Sequence, residues 1–221
     1  MSARIFVLCL LSSVISTAAS LKCQSCFACK EECKNEDMKS VDCGPDEEYC
    51  LSLSFRSTMT RPPLSFTYKS CATDKQCSKA YYSLTSVAGK FQQLRVECCE
   101  TDDCNTAPLP IPGRELMKPN GFYCPGSYEQ NGSSEQNGSV LCLGDENQCF
   151  TSKFTTYALS AFHSTVTAQG CTIRNACTYP EREMEYGNGL LRLNIERVEC
   201  QNPEGLEGWN SFSRTFGRGW N

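Results

Sequence analysis

Eighteen cysteines and a single histidine set the chemistry open to this 221-residue chain. A hydrolase needs a nucleophile beside a base, or a metal that activates water. His163 is the one imidazole, in the strand-like stretch Ser160-Ala161-Phe162-His163-Ser164. Ser160 and Ser164 adjoin it in sequence, but catalytic triads do not normally use such adjacency. Neither G-x-S-x-G nor H-E-x-x-H occurs. His163 therefore reads as a solvent-facing side chain, and no catalytic residue is expected. Asp102-Asp103 and Asp145-Glu146 are acidic pairs in tight loops. Each offers too few oxygens to hold calcium, and both read as solvated loop residues. Cys23-x2-Cys26-x2-Cys29 has the look of a zinc knuckle, but zinc sites usually add a second knuckle or histidines. No metal or cofactor is expected. Asn131-Gly132-Ser133 and Asn137-Gly138-Ser139 are acceptors for N-linked glycans.

The N-terminus gives the compartment. Arg4 opens a short basic segment, Ile5 to Ala18 is mostly apolar, and Ala18-Ala19-Ser20 fits a signal-peptidase site before Leu21. No second apolar run is long enough to span a bilayer. Residues after Trp209 are rich in Gly, Arg and Ser, without the hydrophobic tail of a glycolipid anchor. A secreted, extracellular protein without a membrane anchor is expected. One cysteine, Cys9, falls in the signal. The other seventeen then meet an oxidising compartment, where such density reads as a disulfide framework. The net charge of −4 provides no footprint for nucleic acid.

The elements that must position these cysteines repeat. Cys23, Cys43, Cys50, Cys71, Cys77 and Cys98 recur about 100 residues later as Cys124, Cys142, Cys149, Cys171, Cys177 and Cys200. Leu94-Arg95-Val96-Glu97-Cys98 is echoed by Ile195-Glu196-Arg197-Val198-Glu199-Cys200. The expected division is a signal peptide over 1–20, a first domain over 21–106, a proline-rich linker over 107–121, a second domain over 122–200 and a tail over 201–221. Each domain is short of core and needs its staples. Leu51-Ser52-Leu53-Ser54-Phe55 and Leu64-Ser65-Phe66-Thr67-Tyr68 alternate at period 2 around the turn Arg61-Pro62-Pro63. Phe150 to Phe154 and Ser164 to Thr167 take the same places in the second domain. No segment carries a helical stripe, so the fold class is all-β. Pro108, Pro110 and Pro112 stiffen the linker into an extended segment.

The ending Cys98-Cys99-Glu100-Thr101-Asp102-Asp103-Cys104-Asn105 and the opening Cys23-x2-Cys26-x6-Cys33 resemble the three-finger domains of the urokinase-receptor and lymphocyte-antigen-6 superfamily. The second domain has six cysteines and lacks the second, the third and the closing pair. A ten-cysteine domain followed by a six-cysteine one resembles the gamma-type phospholipase A2 inhibitors. So do Pro119-Asn120-Gly121-Phe122-Tyr123-Cys124-Pro125-Gly126 and Cys142-x-Gly144-x-Glu146-x2-Cys149. Sodefrin-precursor-like factors share much of this layout. The resemblance implies two tandem three-finger domains with the pairs Cys23–Cys50, Cys26–Cys33, Cys43–Cys71, Cys77–Cys98, Cys99–Cys104, Cys124–Cys149, Cys142–Cys171 and Cys177–Cys200. It implies that Asn105 caps the knot through hydrogen bonds to backbone. Cys29 is left over: it pairs with Cys26 in place of Cys33, stays free or links two chains.

The resemblance also implies a function. A secreted phospholipase A2 is the implied protein partner, occluded without a covalent step, and the resemblance implies self-association into a homo-oligomer. The interdomain stretch is implicated there in engaging the enzyme, a role that falls here on Pro108, Leu109, Pro110, Ile111 and Pro112, with Leu116-Met117 extending the apolar face. Arg56 to Pro63 and Tyr157 to Phe162 are finger-tip alternatives, with Tyr157 and Phe162 read as packing inside the domain. The alternative functions are a chemosignal read by a receptor, and another ligand-binding module of the urokinase-receptor type.

Overall fold

The computed structural model describes residues 20–29, 32–77, 80–178 and 182–205. The expected signal peptide, Ser20 apart, lies outside the described residues, as does the expected tail beyond 205. The first unit contains β1 (Lys22–Cys29), β2 (Lys39–Asp42), β3 (Tyr49–Ser57), β4 (Leu64–Ala72), β5 (Ala80–Ser86) and β6 (Phe91–Cys99). The second contains β7 (Pro119–Gln130), β8 (Ser133–Leu143), β9 (Gln148–Ala158), β10 (Phe162–Thr172), β11 (Arg182–Tyr186), β12 (Leu191–Gln201) and β13 (Glu204–Gly205). The fold is all-β, with short 3-10 turns between strands. β13 falls within the expected tail and pairs with β7.

Period-2 patterning makes the strands two-faced. In β3, Leu51, Leu53 and Phe55 are fully buried in the core. Ser52, Ser54 and Arg56 point to the other face, level with Lys69, Thr67 and Ser65 of β4 and with Glu97, Arg95 and Gln93 of β6. In β9, Phe150, Phe154 and Ala158 do the same job, level with Gly170, Val166 and Phe162 of β10.

Among the described residues, eight disulfides join Cys23–Cys50, Cys26–Cys33, Cys43–Cys71, Cys77–Cys98, Cys99–Cys104, Cys124–Cys149, Cys142–Cys171 and Cys177–Cys200. In each unit two of them lie side by side. Sγ of Cys43 is 3.2 Å from that of Cys23, and Sγ of Cys124 is 3.5 Å from that of Cys142. Asn105 caps the first hub: its Oδ1 accepts from the Gln24 N–H, and its Nδ2 donates to the carbonyls of Gln24 and Leu51. Cys29 is exposed and unpaired.

The two units are fused. β5 pairs antiparallel with β10 through Ser86↔Gly170, Thr85↔Cys171 and Leu84↔Thr172, so one sheet runs β11-β12-β9-β10-β5-β6-β3-β4-β1-β2. β7 lies on β10 as well, and β8 on β7. Gly170 permits the junction, because a Cβ there would sit 1.9 Å from the Thr85 carbonyl oxygen. The inward faces of both units contribute to one apolar cluster, with Tyr82, Leu84 and Leu94 in the same core as Phe150, Phe154 and Leu193. The loop after β3 adds a polar pin. Met59 is buried, and its carbonyl accepts from Tyr128 Oη, Gln130 Nε2 and Ser164 Oγ of the second unit. Two small units that each lack core thus bury apolar surface against one another.

Candidate functional site: the strap between the units

The segment from Asn105 to Met117 crosses the polar outer face of the first unit. Prolines 108, 110 and 112 have no N–H, so this chain can offer the sheet little except carbonyls. The strands meet those carbonyls in order. Lys69 of β4, itself buried, donates to the carbonyls of Asn105, Thr106 and Ala107 at 2.7, 2.9 and 2.7 Å. Burial pushes the Lys69 ammonium below its ordinary value, and Glu32 partly opposes this. Ser54 of β3 donates to Leu109 at 2.7 Å, and Arg95 of β6 donates to Pro110 at 2.9 Å. Gln93, also of β6, reaches the Pro112 carbonyl at 3.5 Å.

The strap therefore has an inner and an outer side. Leu109 is only 3% exposed and anchors the inner side. This corrects the reading of Leu109 as part of a free apolar surface: the side-chain donors that capture the carbonyls draw it against β3. Pro108, Pro110 and Pro112 are exposed, and Ile111 is half-buried. Beyond them Leu116 is 76% exposed, with Met117 half-buried beside it.

The far end of the strap is locked to the second unit by a buried carboxylate. Glu146 is fully buried, not the solvated loop residue its neighbours in sequence suggested. Its Oε1 accepts from Ser83 Oγ at 2.8 Å, from Thr85 Oγ1 at 2.5 Å and from Arg114 Nη1 at 3.2 Å. Its Oε2 accepts from the Leu143 N–H. Arg114 is held in turn against the Phe91 ring and by Thr85 Oγ1. A buried carboxylate is tolerable only when paired and hydrogen-bonded in this way. The repeat itself held a signal. Glu47 stands at the matching place in the first unit, four residues after Cys43, and its Oε2 accepts from the Gly44 N–H in the same manner. Asp102 and Asp103 are likewise less free than expected: they accept from the Lys22 N–H, from Gln24 Nε2 and from Ser40 Oγ.

The remaining candidates lie elsewhere. His163 is exposed and stacks on Tyr157 with ring centroids 6.2 Å apart. Ser164 turns away from it into the core, bonded to Met59 and Gln130. Tyr157 is 43% exposed, which corrects its placement inside the domain, whereas Phe162 is half-buried. Arg192 lies over the Tyr157 ring but is also paired with Glu183 and Glu185. Asn131 and Asn137 are both exposed. Cys23, Cys26 and Cys29 are not brought together: two bond to other cysteines.

The family model described as the u-PAR/Ly-6 domain matches residues 19–107 and again 120–204. The chain belongs to the u-PAR/Ly-6 family. The gap between the matches, 108–119, contains most of the strap. Among the similar proteins, phospholipase A2 inhibitor NAI of Notechis ater is 28% identical over 176 residues, which cover 79% of this chain and 84% of the relative. Phospholipase A2 inhibitor PIP of Malayopython reticulatus is 27% identical over 199 residues, covering 88% and 92%. The crystal structure of mouse TEX101 is 18% identical and covers 82% of this chain and 98% of its own, with a TM-score of 0.34. No helix among the described residues is long and apolar enough to cross a membrane.

Proposed function

We propose that this chain is a secreted, non-enzymatic protein that binds a secreted phospholipase A2 and inhibits it by covering its surface, without a covalent step. The observation that carries this reading is the strap. It is an outward-facing apolar edge of Pro108, Pro110, Ile111, Pro112 and Leu116, held by side chains from β3, β4 and β6. A surface fixed in advance loses little conformational entropy on binding, so its contacts count almost in full. The names of the relatives point to the target, and the disulfide framework suits the extracellular space. The exposed His163 with its bonded-away serine neighbour supports a binding role over a hydrolytic one.

The test is a titration of purified protein against a panel of secreted phospholipases A2. Saturable loss of hydrolysis is expected for at least one enzyme, and full activity of all of them at micromolar protein defeats the reading. The strap is then tested with Pro110→Ser and Leu116→Ser, which change its outer side. Both weaken inhibition while the unfolding midpoint stays put. Leu109→Ser is a poor probe of contact, since it removes a buried anchor and lowers stability as well.

A further inference from the structure

Sheet edges invite pairing with another chain unless they are short, charged or covered. Among the described residues, β2, β11 and β8 each pair on one side only. β2 has four residues and includes Lys39 and Asp42. β11 has five, with Arg182, Glu183 and Glu185 among them. β8 differs: it has eleven residues, and the one charge in its sequence, Glu135, falls where the register with β7 shifts. From Gln136 to Leu141 the ladder on β7 is regular and the strand carries no charge and no proline. At this point stands Asn137, exposed, with Gly138 and Ser139 completing an acceptor sequence.

We propose that an N-linked glycan on Asn137 covers the free edge of β8 and prevents it from pairing with β8 of a second copy. The proposal rests on the secreted reading, because the sugar donor is met in the secretory pathway. In the transfer, Nδ2 of Asn137 forms a C–N bond to the anomeric carbon of an oligosaccharide carried on a lipid pyrophosphate. The anomeric C–O bond breaks, the lipid pyrophosphate leaves with the electron pair, and Nδ2 gives up one proton. Asn131 does not serve this purpose. It sits in the turn at the end of the hairpin, and its Oδ1 accepts from the Thr165 N–H at 3.0 Å. A sugar there projects from the finger tip and leaves the regular edge bare.

The experiment expresses the full chain in a glycosylating secretory cell line, with Cys29→Ser throughout so that a thiol-linked dimer does not intrude. N131Q, N137Q, S139A and N137K are compared with this parent by gel mobility and light scattering. N137Q and S139A each lose one glycan step and form assemblies at least twice the parent mass, whereas N131Q does not grow. N137K, without sugar but with a charge on the edge, stays at the parent mass. The proposal is overturned if N137Q migrates like the parent, if N137Q and S139A keep the parent mass, or if N137K assembles as N137Q does. Absence of the parent from the medium overturns the secreted reading itself.

Discussion

The first fingers of the two units close their loops by different means. In the first unit β1 meets only four residues of β2 before turning onto β4, and Cys26–Cys33 staples the loop between them. In the second unit no such staple exists. β7 and β8 run twelve and eleven residues instead and are joined at Asn131-Gly132, both at positive φ. Asn-Gly suits the mirror-image turns that match strand twist. Where the covalent link is missing, ladder length and turn chemistry hold the finger. The longer hairpin also gives the first unit something to rest on: Val87 lies so near Gly126 that a Cβ there would be 2.6 Å from its Cγ1. The units differ because the second supplies the seat for the first.

The largest effect is expected from the hub disulfides. Replacing Cys142 and Cys171 by Ala opens a buried bridge between residues 29 apart in sequence, one end of which, Cys171, lies on the junction strand β10. Loop-closure entropy makes the loss about 3–4 kcal/mol. Urea unfolding followed by far-UV circular dichroism checks it. With a shared core, both units melt in a single transition at a lower midpoint. Two separate transitions break the picture of one fused body. Next comes Gly170→Ala, which sets a methyl against the Thr85 carbonyl and costs about 3 kcal/mol. Its counterpart in the first unit is Ser70, which stands across from Leu51 as Gly170 stands across from Phe150. Ser70→Ala changes stability by no more than about 0.5 kcal/mol. Equal losses at the two positions remove the special status of the β5–β10 junction.

Much of this architecture was legible in the residues. The cysteine register announced the duplication, and alternation placed β3, β4 and β9 with their inward faces. The proline run located the strap. Its orientation was hidden, since an extended proline segment has no period that fixes a face. The donors that turn Leu109 inward, Ser54, Lys69 and Arg95, are 14 to 55 residues away in sequence. Glu146 was hidden for a similar reason: its partners Ser83, Thr85 and Arg114 come from the other unit and the strap. Two local signals were present all the same. Glu47 and Glu146 occupy one position of the repeat, and an isolated Gly170 inside a strand pattern marks a close backbone approach. The fusion of two domains into one sheet lies in such long-range contacts, which single-chain periodicity does not encode.

The first-finger comparison yields the two smaller effects. Cys26 and Cys33 replaced by Ser open a bridge across only 7 residues, so the loss is about 2 kcal/mol. Hydrogen exchange should rise over 22–42 and leave β7–β10 unchanged, because the staple serves its own finger. Gly132→Ala is the counterpart and the smallest effect. Gly132 has φ +82, and none of the described residues comes within 4 Å of the added methyl. The cost is therefore backbone strain alone, about 1 kcal/mol. The change should appear as faster exchange at two amides that tie the turn to β10: the Asn131 N–H, which donates to the Thr165 carbonyl, and the Thr165 N–H, which donates to Asn131 Oδ1. A strained turn releases those two groups first, whereas a global loss of stability raises exchange everywhere. If Gly132→Ala leaves both the midpoint and these amides unchanged, the turn is not what stands in for the missing staple, and the length of the β7–β8 ladder alone must hold the finger.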